Sequence, residues 1–381
     1  MSSTQGTPAP ALATLLVECA RREASDLHLS VGSVPMFRLQ GQLTPATEYP
    51  PLTEADLDRV ASELLGARPA DWTRGAIDGA ISNNGARFRF NLFRRQGLLA
   101  AALRRLEESF RPLAELGMPE SLYALCELRD GLVVVTGPTG CGKSTTLATL
   151  LDRVNRNRPC HIVTIEDPVE YIHKPVAGLV HQRQVGIDAP SFHDALVASL
   201  RQDPDVILVG EMRDLPTMRT ALIAAQTGHL VFTTLHAGDC VGAVERLVAV
   251  FPEGEQDAVR RQLALVLRAV VAQHLLPTAA GRTAGASVSS RVPASEILIV
   301  NPAVANLIAS ARTAQIYSAM EAGQSAGMQT LEQDLARLWA AGRIDEPTAI
   351  SCARNVPILR ERVALAGRRG GPAHAPGAQR P

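Results

Sequence analysis

Gly131-Leu-Val-Val-Val-Thr136-Gly137-Pro-Thr-Gly140-Cys-Gly142-Lys143-Ser144-Thr145 decides the fold of this chain. The run Leu132 to Val135 is uniformly apolar, as a strand buried on both faces must be. It is followed at once by a stretch that fits G-x-x-x-x-G-K-[ST] and then by helix-forming residues from about Lys143. Strand, glycine loop and helix in that order are the context that turns the pattern into a phosphate cradle. Glycines 137, 140 and 142 let backbone N–H groups turn inward, and the helix N-terminus adds its partial positive charge. Lys143 reaches the terminal phosphates of a nucleotide and Ser144 ligates Mg²⁺, while Pro138, Thr139, Cys141 and Thr145 complete the loop, Cys141 as a spacer.

Nucleotide hydrolysis also needs carboxylates at the ends of neighbouring strands, one near the metal and one to position or deprotonate water. Two apolar strands downstream end in acid: Ile162-Val-Thr-Ile-Glu166-Asp167 and Val206-Ile-Leu-Val-Gly-Glu211. A third polar feature is His229-Leu-Val-Phe-Thr-Thr-Leu-His236. The odd separation puts the two imidazoles on opposite faces of an unbroken strand, which argues against a shared metal. The spacing suits caps at the two ends of a strand beside the phosphates, each histidine either a structural hydrogen-bonder or a sensor of the terminal phosphate.

Outward from the cradle, short apolar strands alternate with amphipathic helices: HIVTIED, SFHDALVASLRQDP, DVILVGE and HLVFTTLH. That rhythm predicts a mostly parallel sheet covered on both faces, an α/β fold. From about Pro302 the pattern is helical only. Upstream, LATLLVECARRE is helix-periodic, DLHLSVG and PMFRLQG read as short strands, LTEADLDRVASELLG as a capped helix, and ARFRFNLFRR alternates apolar and basic residues, which together make a small α+β domain. The periodicity lapses around Pro112, Gly117 and Pro119. The expected organisation is a first domain over 1–111, a linker over 112–119, an ATPase domain over 120–366, and a Gly/Pro/Arg-rich disordered tail over 367–381.

Lys plus Arg and Asp plus Glu both total 38, so the chain does not bind nucleic acid through net charge, and 4% aromatic residues argue against base-stacking platforms. The six cysteines include no Cys-x-x-Cys pair, so neither a zinc module nor a disulfide framework is legible and a reducing compartment is expected. Ala11 to Ala20 contains Glu18 and lacks a preceding basic segment, which reads as an amphipathic first helix and not a signal peptide. The most apolar long segment, Leu263 to Leu276, is interrupted by Arg268, Gln273 and His274 and falls short of the roughly 20 residues that span a bilayer. The expected location is cytoplasmic, with membrane association only through partners.

GPTGCGKSTT, TIEDPVEYIH, DPDVILVGEMRD and TGHLVFTTLHAGD, in this order, resemble the Walker A, Asp box, Walker B and His box of the secretion-type ATPases of bacterial type IV pili and type II secretion. The likeness runs over nearly all of residues 12 to 360, including ASDLHLSVG and ARFRFN. The short first domain, the lack of a four-cysteine element after the His box, and QIYSAMEAGQSAGMQTLEQDL resemble the PilT-like retraction ATPases of twitching motility. The resemblance implies a PAS-like first domain, a RecA-like ATPase domain with a helical C-terminal part, and ATP and Mg²⁺ as cofactors. Glu166 would be the general base, Glu211 the Walker B acid on Mg²⁺, and Arg87, Arg89 and Arg104 arginines that reach nucleotide at interfaces; a solvated basic strand face is the alternative for these three. It further implies a homohexamer, an inner-membrane pilus platform protein as partner, and a second retraction ATPase as a further one. One segment departs from the family pattern. Where retraction ATPases carry Ala-Ile-Arg-Asn-Leu-Ile-Arg-Glu, this chain has Ala303-Val-Ala-Asn306-Leu307-Ile308-Ala-Ser310. Helical spacing turns Val304, Leu307 and Ile308 inward and the altered positions outward. A PilU-like accessory ATPase and an assembly or secretion motor are the alternatives within the family, and a weakly hydrolysing regulatory subunit the alternative outside the motors.

Overall fold

The computed structural model describes residues 10–39, 41–67, 72, 75–106, 109–279 and 291–369. The chain forms two compact units. The first comprises Met1–Phe110, Thr164–Pro175 and Val180–Ala195; the second comprises Arg111–Val163, Val176–Leu179 and Leu196–Pro381. Residues 1–9 and, of the expected tail, 370–381 lie outside the described residues.

In the first unit, β1 (Asp26–Ser30), β2 (Met36–Leu39), β3 (Gln42–Pro45), β4 (Ala76–Asn83), β5 (Ala86–Arg95) and β6 (Leu98–Arg105) form a sheet of order β3-β2-β1-β6-β5-β4. Every neighbouring pair is antiparallel. The apolar–basic alternation of β5 explains its two faces: Phe88, Phe90 and Leu92 are buried, whereas Arg87, Arg89 and Asn91 are half-buried on the other side. Asn84 and Gly85, at φ 51° and 86°, close the β4–β5 hairpin in the left-handed conformation that a two-residue turn demands. Helices Leu12–Arg21 and Glu54–Leu65 bury Leu12, Leu15, Leu16, Leu57 and Leu64 in the same core as Phe37 and Phe88. The second helix starts at a reciprocal cap: Asp56 N–H donates to Thr53 Oγ1 and Thr53 N–H to Asp56 Oδ2, an arrangement that contributes about 1 kcal/mol. The linear boundary expected near residue 111 omits the excursion Thr164–Ala195. Arg87 Nε donates to Val169 O at 3.3 Å and Arg89 pairs with Glu170 at 2.7 Å, which draws that segment to the first unit.

The second sheet contains β7 (Gly131–Thr136), β8 (His161–Glu166), β9 (Leu179–Gln184), β10 (Val206–Val209), β11 (Leu230–Leu235), β12 (Leu267–Pro277) and β13 (Arg291–Ile299), in the order β13-β12-β7-β11-β10-β8-β9. The boundary between the two units falls within β8 and β9. β7 lies parallel to β11 and β12, and β10 parallel to β11. All residues of β7, β10 and β11 are buried, hence their lack of charged residues and their predominantly apolar sequences, broken only by Thr136, Thr233 and Thr234. The apolar segment Leu263 to Leu276 is the end of helix Glu253–Val266 and most of β12, and β12 pairs antiparallel with β13, an addition that the parallel pattern did not announce.

Residues 112–119 are not a bare linker. Pro112 precedes a short helix, Leu113–Leu116, and Leu113 and Met118 are buried. After β13 the described chain consists chiefly of helices, including Pro302–Ala309, Ile316–Ala322, Leu331–Ala340, Glu346–Cys352 and Val356–Arg369. The last of them carries helix three residues into the expected disordered tail. In helix Pro302–Ala309, Val304 and Ile308 are fully buried, Leu307, Ala305 and Ala309 half-buried, and Asn306 and Ser310 exposed. The inward face is therefore narrower than expected, because the eight-residue helix packs chiefly on helix Glu253–Val266. No described helix is long and apolar enough to cross a membrane.

Candidate active site

The second unit holds the phosphate loop at the carboxyl end of β7. Gly142, at φ 93°, stands immediately before helix Lys143–Asn157, whose first N–H groups have no intrahelical acceptor and point toward the loop. A Cβ at Gly137 would lie 2.3 Å from Gln273 O and 2.8 Å from Cys141 Sγ, so the turn admits only glycine. Pro138, Thr139 and Gly140 are exposed at the tip, and Ser144 is exposed in the first turn of the helix, with Thr145 half-buried beside it. Lys143 is buried, and its Nζ donates to Gly137 O at 2.8 Å and Pro138 O at 3.0 Å, which keeps the ammonium within the loop. Cys141 is buried as well; burial pushes its thiol pKa up, so it stays a neutral spacer. Backbone donors, an ammonium and an exposed hydroxyl at a helix N-terminus are the donor set that suits a nucleotide polyphosphate with its divalent cation.

Two of the polar strand ends join the loop. β11 is in register with β7, Leu235 opposite Thr136, so His236 follows β11 where Gly137 follows β7. Thr136 Oγ1 donates to Ala237 O at 2.9 Å and accepts from Ala237 N–H at 2.8 Å, tying the two strand ends together. Glu211 stands two residues past β10, next to β11, where Thr234 Oγ1 donates to Gly210 O at 2.6 Å. Its carboxylate is 2.7 Å from Arg213 Nε and 3.9 Å from His236 Nε2. Burial, reinforced by the charge of Lys143, holds the His236 pKa below its ordinary value, leaving the imidazole neutral at neutral pH.

His229 does not join them. Gly131 N–H donates to His229 O at 3.1 Å, placing His229 at the opposite end of β7, roughly 20 Å of strand from the phosphate loop. Its Nδ1 lies 3.0 Å from Ala224 O and serves the turn after helix Leu215–Gln226.

In the first unit, Glu166 ends β8 half-buried. Its Oε1 accepts from Thr164 Oγ1 at 2.6 Å and Gln182 Nε2 at 3.1 Å, and its Oε2 from Glu170 N–H at 3.4 Å. Burial raises its pKa against these bonds, which makes the carboxylate a better proton acceptor than an exposed one. Arg87 and Arg89 present their guanidiniums to the same Glu166–Glu170 segment, and burial lowers the pKa of Arg87 although it remains a cation. Arg104 lies opposite Arg89 in the β5–β6 register and pairs with the buried Asp26 at 2.8 Å. All three arginines share the face of the sheet turned away from its core.

Four contributors escaped the sequence reading: Thr136, Thr164, Gln182 and Gln273. Gln273 Nε2 donates to Thr146 Oγ1 at 3.0 Å and so backs the first turn of the phosphate-loop helix. Its signal was an amide among the three polar residues, Arg268, Gln273 and His274, that interrupt an apolar stretch; Thr136 and Thr164 had the weaker one of a hydroxyl near a strand end.

Comparison with known proteins bears on this arrangement. A family model described as Type II/IV secretion system protein matches residues 9–333. The chain belongs to the type II/IV secretion system protein family. Within that family it is PilT-like: it is 42% identical over 338 residues to the type IV pilus retractation ATPase PilT of Pseudomonas aeruginosa, covering 88% of this chain and 96% of the relative. It is 46% identical over 324 residues to a twitching motility protein of Neisseria gonorrhoeae, covering 84% of each. A crystal structure of the pilus retraction motor PilT with bound ADP superposes with a TM-score of 0.83 at 39% identity, covering 92% of this chain and 99% of that one. The fold of this secretion-family protein is thus an α+β first domain followed by a P-loop ATPase domain with a helical C-terminal part.

Proposed function

We propose that this chain is a motor ATPase that hydrolyses MgATP to power retraction of type IV pili and thereby twitching motility. The observation that carries the proposal is the convergence, at the carboxyl ends of β7, β10 and β11, of the phosphate loop, Glu211 and His236, in a chain whose relatives include a pilus retraction ATPase. Lys143 and the loop amides hold the phosphates. Ser144 and Glu211 hold Mg²⁺, which when bound neutralises charge on the phosphate oxygens. Glu166, its carboxylate held by Thr164 and Gln182, takes the proton of the attacking water. Arg87, Arg89 and Arg104 offset negative charge developing on the nucleotide.

The working form is a homohexamer on the cytoplasmic side of the inner membrane. It acts on a pilus platform protein, with a second retraction ATPase as an additional partner. Two experiments test the proposal. Lys143→Ala should leave less than about a tenth of wild-type phosphate release, since the positioned ammonium has no substitute in the loop. A deletion strain should carry excess surface pili and fail to twitch; bald cells would instead assign the motor to assembly.

A further inference from the structure

The segment that leads from β11 into helix Cys240–Ala249 has three consecutive carbonyls, each held from a different direction. His236 O accepts from Arg246 Nη1 at 3.1 Å, and Ala237 O accepts from Thr136 Oγ1 at 2.9 Å. Gly238 O accepts from His274 Nε2 at 3.1 Å and from Arg354 Nη2 at 3.0 Å. Arg246, Thr136 and His274 belong to the helix and strands that build this end of the sheet. Arg354 comes from the junction of the C-terminal helices Glu346–Cys352 and Val356–Arg369.

The remaining contacts of Arg354 make it a two-sided link. Its Nη1 lies 2.9 Å from Glu296 Oε2 and 3.5 Å from Asp239 Oδ2. Glu296, on β13, is 1% exposed, and its Oε1 accepts the N–H of Cys240, the first residue of the helix that Asp239 caps. On the other side, the backbone N–H groups of Arg354 and Asn355 both donate at 3.0 Å to Glu332 Oε1. Glu332 is fully buried, and its Oε2 accepts Tyr317 O–H at 2.8 Å. The backbone at residue 354 is therefore fixed to the C-terminal helices while its side chain grips the segment that carries His236. Burial of an ion pair gives little net stability over an apolar pair of the same shape. A planar guanidinium that serves Gly238, Asp239 and Glu296 at once supplies geometry, which a lysine ammonium does not.

We infer that Arg354 is a positioning residue of the ATPase: it fixes Gly238 and Asp239, through them holds His236 toward Glu211, and so makes the C-terminal helices part of the hydrolytic cycle. The inference rests on the proposed ATPase function. Movement of His236 during turnover would pull on residue 354, and a load on the C-terminal helices would feed back on His236.

The test is Arg354→Lys in the full-length, assembled protein, which keeps a cation beside Glu296 but removes the fork. Its melting temperature should stay within about 3 °C of wild type and its Kd for a fluorescent ADP analogue within about threefold, while kcat falls at least about tenfold with KM for ATP little changed. In a His236→Ala background the same substitution should cost less than about twofold, because the residue through which it acts is gone. Should the lysine variant prove unstable, the pair Arg354→Gln with Glu296→Gln, which removes both charges together, carries the same comparison. Wild-type kcat in the stable variant, or an equal loss with and without His236, overturns the inference. Lys143→Ala measured alongside separates the two layers: if it too retains turnover the ATPase proposal fails, and if it is inactive while Arg354→Lys is fully active only the role of Arg354 falls.

Discussion

His236 Nε2 and Glu211 Oε2 face each other at 3.9 Å across the carboxyl ends of two adjacent strands, β11 and β10. That distance exceeds a hydrogen bond. With its pKa held down by burial and by Lys143, His236 meets Glu211 as a neutral imidazole. The relationship is thus one of shared location beside the phosphate loop and not of mutual charge neutralisation, and it distinguishes His236 from the other histidine of its motif.

Replacing each histidine by alanine should separate them. His236→Ala is expected to lower kcat at least about tenfold, as removal of a group beside developing charge does. His229→Ala, at the far end of β11, should stay within about threefold, its loss confined to the turn at Ala224. Steady-state phosphate release decides the matter, and equal losses would return His229 to the site.

Glu166→Gln keeps the shape of the side chain and removes the carboxylate proposed as the base, so nucleotide binding should persist while turnover falls roughly a hundredfold or more. The direction of its pKa gives a second check. Burial raises the folded-state value above the ordinary 4.5, so the proton is held more tightly in the folded chain than in the unfolded one. The carboxylate therefore becomes competent as a base only above that raised value. The acid limb of the kcat profile should lie above pH 4.5, and activity should decline as pH falls through the limb. The same linkage makes the Glu166 contribution to stability fall as pH rises from 4.5 toward the folded-state value. An acid limb at or below 4.5 would reassign the base.

The altered segment of helix Pro302–Ala309 should divide fold from output. Ile308 is fully buried, and Ile308→Ala should cost about 2–5 kcal/mol, seen as a lowered melting temperature. Asn306 is exposed; Asn306→Ala should leave the melting temperature nearly unchanged and ATPase activity within about twofold, yet impair twitching. Loss of turnover in a well-folded Asn306→Ala protein would place the segment inside the hydrolytic cycle.

If arginines from a neighbouring copy complete the site, hydrolysis depends on assembly. Specific activity should then rise with protein concentration through the range in which light scattering detects oligomers. Activity per subunit that stays constant from dilute monomer upward would sink the hexamer reading.

The phosphate loop was legible because its information is local: a buried strand, the three loop glycines 137, 140 and 142 and a helix N-terminus within the single stretch Gly131 to Ser144 allow few other structures. The two faces of β5 were legible for the same reason, since the alternation of Phe88 and Phe90 with Arg87 and Arg89 is a period-two signal. Which histidine joins the loop was not legible. His229 and His236 are equivalent at the level of motif, and only the pairing of Leu230 with Gly131 and Leu235 with Thr136 assigns one to each end of the sheet. The partners of Gly238, the backing of Thr146 by Gln273 and the return of Val169–Glu170 to Arg87 and Arg89 were likewise decided by the tertiary structure. Those contacts join residues 36 to 127 positions apart, as in His274 to Gly238 and Gln273 to Thr146. Backbone periodicity and turn chemistry are set by residues within a few positions of one another, whereas the register that brings distant side chains together depends on how whole strands and helices pack, which no short stretch of sequence encodes.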